Sequence, residues 1–358
     1  MANGLLLREK ALGCLLGVYI GDALGAPWEC RTRDEILALA GGRVERYFPA
    51  SATHKFLPNW PAGKGTDDTD FTDAIVRAYI ITKGQFNMDE IARQHVLAFE
   101  RSSAGCGKGS KAAIERLQAG VHWSESAVVA PGVGAGNGVA MKIAPLGLVG
   151  ASMMLGKPQM CVDTLQVKQL ARMTHSTFIG EGTGAAQAFA VQTCANQTPD
   201  AFRPNAMIRV MFIGIGQQCF SHPDLALFMQ RLRWLAGTPP TPPPEQDDLI
   251  GTWRLDWRDD YGAMTDDQIL EHCGSGGFLA HESLPFSYAY FLRNPHSIDA
   301  LYDVITAGGD ADTNGSMVGS LLGALHGRSI FPKHLVDGLV NRDALMERAE
   351  AFCDVIGL

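Results

Sequence analysis

The chain has 358 residues, of which 46% are apolar and 19% are charged, and its 30 basic and 38 acidic side chains give a net charge of −8. This balance is typical of a globular protein and excludes a disordered, collagenous or coiled-coil chain. The acidic excess argues against a protein that coats nucleic acid, because such proteins carry a basic surface. An anionic ligand is not excluded, since a metal ion or a helix N-terminus can hold it.

Hydrophobic periodicity predicts helices along most of the chain. Apolar residues recur at intervals of three and four in residues 71–78, 92–99 and 345–356, whereas two-residue alternation is almost absent. The apolar run at 11–20 is only about ten residues long, shorter than the roughly 20 that a bilayer requires. The sequence therefore predicts an all-α protein with no membrane segment.

The segment 237–248, GTPPTPPPEQDD, is the clearest low-complexity stretch. Its prolines exclude a helix and favour an extended, solvent-exposed loop. Because helical periodicity flanks it on both sides, we predict a surface loop within a single domain that spans residues 1–358. The eight cysteines are scattered singly, which predicts reduced thiols in a cytoplasmic protein.

Glycine recurs at every fourth position in two segments. These glycines are Gly13, Gly17, Gly21 and Gly25 in the first segment, and Gly315, Gly319 and Gly323 in the second. Each glycine inside a helix costs about 1 kcal/mol relative to alanine, so such a stripe is explained by the close approach of another backbone. We predict tight packing of two core helices that brings Asp22 and Asp310 towards one centre.

Residues 63–73, GKGTDDTDFTD, place four carboxylates within about two helical turns. One interpretation is N-capping, because threonine and aspartate accept hydrogen bonds from the free N–H groups at a helix start. The other is a metal site, because adjacent Asp67 and Asp68 repel each other unless a cation lies between them. This segment alone leaves both interpretations open.

Residues 308–315, GGDADTNG, form a second acidic loop ahead of an apolar helix. The loop lacks the closing glutamate of a calcium-binding EF-hand. At the two predicted helix starts, Asp67, Asp68, Asp310 and Asp312 supply four carboxylates and the neighbouring threonines supply hydroxyls, whereas neither segment contains histidine or cysteine. This donor set suits Mg²⁺ or Mn²⁺ and argues against zinc. Four carboxylates favour two ions.

Two further segments have both a functional and a structural interpretation. Glu29 follows Pro27, beyond the predicted end of the first helix, where its carboxylate can either reach a site or lie on the surface. Residues 132–145, GVGAGNGVAMKIAP, form a glycine-rich loop whose spacing excludes a Rossmann fingerprint and a P-loop. That loop is either a flexible turn or a phosphate cradle made of backbone N–H groups. His175 is isolated in the sequence, which is typical of a structural histidine.

Taken together, these motifs resemble the ADP-ribosylglycohydrolase family, the enzymes that remove ADP-ribose from modified side chains. The similarity runs from about residue 11 to residue 327, in the order of the family's motifs. The segments that carry it are GCLLGVYIGDALGAPWE at 13–29, TDDT at 66–69, GNGVAMKIAPLGL at 136–148, THST at 174–177, GGFLAHESLPFSYAYFL at 276–292 and GGDADTNGSMVGSLLGALHG at 308–327.

The resemblance implies a compact, orthogonal, all-α bundle with two Mg²⁺ ions, or Mn²⁺, in a central cleft. It implies catalytic roles for Asp67, Asp68 and Asp312 and for Glu29, the last as a mobile residue near the scissile bond. The implied metal ligands are Thr66, Asp67, Asp68, Asp310, Asp312 and Thr313. The implied contacts to ADP-ribose are Gly134, Gly136, Asn137, Gly138, Met141, His175 and Phe278.

This sequence departs from the family's pattern in two places. Ala135 stands where some relatives carry an aromatic residue, and the segment 102–110, SSAGCGKGS, matches no pattern. Because that segment is expected on the side of the modified target, the leaving group is poorly defined by the sequence.

We expect a cytoplasmic, Mg²⁺-dependent enzyme that cleaves the bond between ADP-ribose and arginine in an ADP-ribosylated protein or a small ADP-ribosyl compound. ADP-ribosyl-serine, O-acetyl-ADP-ribose and a modified nucleobase stay open as substrates, as does hydrolysis of the pyrophosphate in ADP-ribose. A third interpretation is a binding protein that captures a partner such as an ADP-ribosylating toxin.

Overall fold

The protein is built from helices, which confirms the predicted all-α class. The computed structural model describes residues 2–128, 130, 133–155, 162–219, 222–237 and 258–358, and these contain isolated β-bridges but no strand. The α-helices of the described residues are α1 Ala2–Gly25, α2 Arg33–Ala40, α3 Asp67–Ile81, α4 Met88–Arg101, α5 Lys108–Gln118, α6 Ala144–Met153, α7 Thr164–Thr174, α8 Phe178–Asn196, α9 Pro204–Cys219, α10 Ala226–Ala236, α11 Asp266–Cys273, α12 Ala280–Arg293, α13 Asp299–Ala307, α14 Ala311–His326, α15 Lys333–Gly338 and α16 Arg342–Val355.

The three periodic segments of the sequence lie in α3, α4 and α16, apart from the last residue, Ile356, which is the C-cap of α16. Their apolar faces are buried because residues three and four apart share one side of a helix. At the start of the proline-rich segment, Gly237 ends α10 in a left-handed conformation with φ of 95°. The remainder of that predicted loop, 238–248, lies outside the described residues, so the single-domain organisation stays a prediction.

Helices α1 and α14 pack antiparallel through their two glycine stripes. A Cβ atom built on Gly315 would lie 2.6 Å from the carbonyl oxygen of Gly21, and one built on Gly319 would overlap the carbonyl oxygen of Gly17. Side chains at these positions would push the two backbones apart. The predicted close packing of the two segments is therefore present, and it aligns the C-terminal end of α1 with the N-terminal end of α14.

Helix α1 is longer and more apolar than the sequence prediction allowed. The stretch Gly4–Trp28 meets the length and hydropathy that a membrane crossing needs, so the estimate of about ten apolar residues was too low. The most apolar part of this helix is entirely buried inside the protein. A helix surrounded by other helices requires apolar residues on every face, and this burial accounts for the composition of α1.

The packing of α1 on α14 predicts that Gly319→Ala destabilises the protein. The added methyl group meets the backbone of Gly17, and such overpacking should lower the free energy of unfolding by about 1–3 kcal/mol. Gly4→Ala, also in α1, is the matched control because a Cβ atom there meets nothing within 4 Å. We expect that control to leave stability unchanged or to raise it by up to about 1 kcal/mol. Urea denaturation measures both, and equal effects would contradict the interpretation.

Candidate functional site

A carboxylate from another helix caps the first turn of α3. Asp22 of α1 accepts hydrogen bonds from the backbone N–H groups of Thr66 and Thr69 at 2.8 and 2.9 Å, and from their hydroxyls at 2.9 and 2.5 Å. Thr66 is the N-cap residue of α3, yet its own side chain makes no capping hydrogen bond. Asp22 thus performs the capping that the sequence analysis considered for the threonines and aspartates of residues 63–73.

A direct hydrogen bond joins the two aspartate-rich segments, residues 63–73 and 308–315, although the bonded residues lie 245 positions apart in the chain. The Thr313 hydroxyl at the start of α14 donates to Asp68 Oδ2 at 3.2 Å. The backbone N–H of Asp310 donates to the carbonyl of Gly276 at 2.9 Å, which holds the loop ahead of α14 in place. The structure therefore brings residues 67–68 and 310–313 together at one site.

The carboxylates at this site form two overlapping groups. Asp22, Asp68 and Asp312 each offer an oxygen atom within 4.8 Å of the other two, and Glu29, Asp310 and Asp312 do the same. All five side chains are buried. Asp312 belongs to both groups, so its carboxylate could contribute to two neighbouring cation sites.

The site carries more negative charge than its hydrogen bonds neutralise. Burial and the nearby Asp312 carboxylate raise the pKa of Asp22 to about 6 and that of Glu29 to about 11. Burial also raises the pKa of Asp68 well above its usual value. Among the described residues, Asp68 Oδ1 and Glu29 Oε2 are buried without a hydrogen-bond partner. To keep such buried oxygens charged at neutral pH costs several kcal/mol, which is why their pKa values rise, and a bound divalent cation would offset that cost.

The donor atoms fit a hard divalent cation. Both groups consist of carboxylates, and neither includes histidine or cysteine. The hydroxyls of Thr66 and Thr313 donate their protons to Asp22 and Asp68, so both hydroxyl oxygens keep lone pairs for a cation. Such oxygen ligands suit Mg²⁺ or Mn²⁺, whereas zinc sites are rich in nitrogen and sulfur.

Asp67 is buried but belongs to neither group of three carboxylates. Burial raises its pKa well above the usual value, and the neighbouring charges of Asp312 and Asp22 raise it further. The negative charges of both groups therefore act on the Asp67 carboxylate. Its assignment as a metal ligand and catalytic residue stays a prediction.

Glu29 lies within the site and not on the surface. Helix α1 ends at Gly25, and the 3₁₀ turn Ala26–Trp28 leads directly to Glu29. The next residue, Cys30, donates its backbone N–H to the carbonyl of Gly309 at 2.8 Å, so the chain after Glu29 is tied to the second aspartate-rich segment. The structure thus excludes the surface interpretation, while the mobility implied by the family resemblance is still a prediction.

The glycine loop lies against the second aspartate-rich segment. Asn137 Nδ2 donates to Asp310 Oδ2 at 2.5 Å, and the Asn137 backbone N–H donates to the carbonyl of Phe278 at 3.1 Å. Gly136 forms an isolated bridge with Leu279. Asn137 therefore connects the loop to the carboxylates on one side and to the segment before α12 on the other.

His175 packs against this loop from the end of α7. A Cβ atom built on Gly138 would lie 2.6 Å from His175 Cε1, and one built on Gly136 would lie 3.5 Å from Nε2. Gly134 has a φ of 86°, which favours glycine, and its carbonyl accepts a hydrogen bond from the Thr177 hydroxyl at 2.6 Å. The predicted ligand residues of the loop and His175 are thus close together, and the loop requires glycine for this fit.

The two other residues predicted to contact the ligand differ in exposure. Met141 is 5% exposed and lies in a small buried apolar cluster with Phe71. Phe278 is 46% exposed, and its ring centroid lies 6.4 Å from that of Phe56 in an edge-to-face arrangement. Lys55 Nζ lies 4.7 Å from the centroid of the Phe56 ring. Phe278 and Phe56 therefore present a pair of exposed aromatic rings beside the glycine loop.

Sequence reasoning missed three contributions to this site. Phe56 and Lys55 lie in a segment without periodicity, so no local signal relates them to Phe278. The segment 102–110 matched no pattern, yet its Gly105 faces the first aspartate-rich segment, since a Cβ atom there would lie 2.5 Å from Asp67 Oδ1. The glycine-rich composition of that segment was the available signal for such a close approach.

Comparisons with known proteins agree with this geometry. The family model for ADP-ribosylglycohydrolase matches residues 4–357. The chain is 29% identical over 172 residues to ADP-ribosyl-[dinitrogen reductase] glycohydrolase of Rhodospirillum rubrum, which covers 48% of this chain and 52% of that protein. It is 24% identical to ADP-ribosylhydrolase ARH3 of Xenopus tropicalis, over 89% of this chain and 88% of the relative.

A solved structure described as an ADP-ribosylglycohydrolase-related protein complex has the same fold. It superposes with a TM-score of 0.66 at 19% identity and covers 98% of both chains. At this level of identity the similarity establishes only the arrangement of helices, and the chemistry has to be inferred from the residues of the site.

The crowded carboxylates predict a distinctive pH dependence of stability in EDTA. Burial raises the pKa of Asp22 and of Asp310 to about 6, above the value of about 3.9 in an unfolded chain. The folded state therefore binds more protons between these pH values, so these groups make the free energy of unfolding fall as the pH rises from about 4 to about 6.5. Urea denaturation at several pH values, with and without Mg²⁺, measures the effect.

The control for this prediction is Asp312→Asn, which removes one of the repelling charges. In EDTA at pH 7 we expect this variant to be more stable than the wild type and less sensitive to pH. Mg²⁺ should stabilise the wild type and have little effect on the variant. Identical pH profiles for the two proteins would show that the carboxylates do not interact as described.

Proposed function

Because this chain belongs to the ADP-ribosylglycohydrolase family, whose members hydrolyse ADP-ribose linkages, we propose that it cleaves the N-glycosidic bond of ADP-ribosyl-arginine with the help of Mg²⁺. The substrate is an ADP-ribosylated protein or a small ADP-ribosyl compound. The proposal is supported chiefly by the two clusters of three carboxylates, which have Asp312 in common and lie next to the glycine loop. The relative from Rhodospirillum rubrum, named as acting on ADP-ribosyl-dinitrogen reductase, supports a protein as the modified target.

Two divalent cations fit the donor atoms of the site. The residues that would hold them are Thr66, Asp67, Asp68, Asp310, Asp312 and Thr313, with Asp22 and Glu29 close by. When bound, the cations would orient the ribose hydroxyls and a water molecule and would stabilise the negative charge that develops on oxygen.

The side chains of this protein supply the other requirements of the reaction. Cleavage at the anomeric carbon passes through an oxocarbenium-like state, whose positive charge the surrounding carboxylates stabilise. Asp67, Asp68 and Asp312 can accept hydrogen bonds from the attacking water and so orient it. Glu29 can act as acid or base at the scissile bond, because its burial beside Asp310 and Asp312 shifts its pKa upward.

We propose a cytoplasmic location. It is supported by the free thiols of six described cysteines, because disulfides are rare in the reducing cytoplasm. The net charge of −8 favours partners other than nucleic acid, and we propose no membrane partner. A stable complex with an ADP-ribosylating toxin is the alternative role that the experiments below distinguish.

The proposed reaction predicts release of intact ADP-ribose from an ADP-ribosyl-arginine substrate. EDTA should abolish turnover, and Asp312→Ala should lower kcat roughly 10³-fold or more while the protein stays folded. Asp73→Asn is the matched control, because Asp73 lies on the same helix as Asp67 but pairs with Arg77 and Arg348. It should keep the wild-type rate.

The products decide between the alternatives. AMP and ribose phosphate would indicate a pyrophosphatase, and release from serine-linked or nucleobase-linked ADP-ribose alone would correct the acceptor. Turnover that EDTA does not diminish would refute metal dependence. No turnover on any substrate, together with a stable toxin complex of the Asp312→Ala protein, would support the binding role.

The exposed aromatic pair predicts a contribution to substrate affinity. Phe56→Ala and Phe278→Ala should each raise KM roughly tenfold, because an adenine ring loses a stacking partner, with kcat changed less than about twofold. Leu165→Ala is the control, since Leu165 is also a large, exposed apolar residue but lies at the far end of α7 from His175. Steady-state kinetics measure these values, and an unchanged KM in both phenylalanine variants would exclude stacking on Phe56 and Phe278.

A further inference from the structure

Hydrogen bonds connect a buried lysine, through a threonine, to the histidine that packs against the glycine loop. Lys142 Nζ donates to the Thr174 hydroxyl at 3.3 Å, and that hydroxyl lies 2.9 Å from His175 Nδ1. Lys142 and Thr174 are fully buried, and His175 is 5% exposed. Lys142 also lies 5.3 Å from the centroid of the Phe71 ring, so its ammonium group is held from two sides.

The available donors fix the direction of these hydrogen bonds. A protonated lysine only donates, so Lys142 uses a lone pair of the Thr174 oxygen and leaves the single hydroxyl proton free. Among the described residues, that hydroxyl makes no hydrogen bond besides those with Lys142 and His175. The proton of Thr174 therefore points to Nδ1 of His175, and Nδ1 must be the acceptor.

The His175 ring carries one proton near neutral pH, because burial and the charge of Lys142 lower its pKa to about 3. A neutral imidazole whose Nδ1 accepts a hydrogen bond carries its proton on Nε2. We propose that Lys142 and Thr174 are positioning residues that hold His175 in this tautomer, so that its Nε2–H donates to an oxygen atom of bound ADP-ribose. The identity of the ligand rests on the proposed function, whereas the tautomer rests on the three side chains alone.

The surroundings of Nε2 suit a hydrogen bond to a ligand. Cβ atoms built on Gly138, Gly136 and Gly109 would lie 3.1, 3.5 and 3.7 Å from Nε2, so glycines of the glycine-rich loop and of the first turn of α5 keep the space beside it free of side chains. Nε2 has no partner among the residues that the structure describes. The diphosphate and ribose of ADP-ribose present many acceptor oxygens, and a neutral N–H donor matches them without adding a charge that Lys142 would repel.

The tautomer can be measured without any ligand. ¹⁵N NMR of the Mg²⁺-loaded protein labelled at histidine reports which ring nitrogen is protonated, and the His175 signals are those missing in His175→Gln. We expect Nε2 to be protonated in the wild type and in Thr174→Ser, which keeps the hydroxyl. Thr174→Val, which removes the hydroxyl at similar volume, should increase the fraction with the proton on Nδ1. A wild-type His175 with its proton on Nδ1, or identical spectra of the valine and serine variants, would overturn the proposal.

Calorimetric titration with free ADP-ribose tests the consequence for binding. Thr174→Val should raise Kd roughly tenfold, as expected for a weakened hydrogen bond to a charged group, while Thr174→Ser should stay within about twofold of the wild type. Lys142→Met provides a second variant, should the valine protein fail to fold, and we expect the same direction of change. In turnover assays the effect should appear in KM more than in kcat.

The two proposals fail in different ways. If the wild type shows the Nε2–H tautomer but binds no ADP-ribose, the proposed function and the ligand of His175 are wrong, and the tautomer assignment stands. If Thr174→Val loses the tautomer and still binds ADP-ribose with wild-type affinity, the positioning role is wrong and the proposed function is unaffected.

Discussion

The contact between the backbones of α1 and α14 is the constraint on which the site depends. Glycines at every fourth position remove the side chains that would separate the two helices, and the antiparallel alignment sets Asp22 near the end of one helix beside Asp312 near the start of the other. A wider spacing would separate these carboxylates, which must lie within a few ångströms of each other to share a cation. Glycine inside a helix lowers stability, but here it permits the close approach of the two helices that the geometry of the site requires.

Asp22 has a structural and an electrostatic role at once. Its carboxylate caps α3 through four hydrogen bonds and also stands next to Asp68 and Asp312. The same interactions that fix the start of α3 thus fix the direction in which Asp68 faces. Clustered buried carboxylates oppose folding in the absence of a cation, so stability and cation binding are coupled in this protein.

A network of amide and hydroxyl groups links the glycine loop to the helices that carry the acidic residues. Asn137 donates to Ser283 at 3.0 Å, Ser283 donates to Asn314 at 2.7 Å, and Asn314 donates to the carbonyl of Gly276 at 2.7 Å. These residues are buried, so each unmade hydrogen bond would be costly. The loop is consequently held in register with the carboxylates, which is what a ligand that spans both regions requires.

The sequence by itself determined the helices and the acidic segments, because periodicity and residue type are local properties. Phe71 and Leu345 lie on buried helix faces where the three- to four-residue spacing placed them. The acidic segments at 67–68 and 310–313 were recognisable from composition, whereas their assignment as metal ligands came from the family resemblance. Tertiary structure decided which groups meet. Only the folded chain shows that Asp22 caps α3, that Glu29 is buried beside Asp310, that Phe56 lies next to Phe278, and that Lys142 reaches His175 through Thr174. Each of these pairs lies far apart in the chain or on different elements, and no local pattern records such a contact.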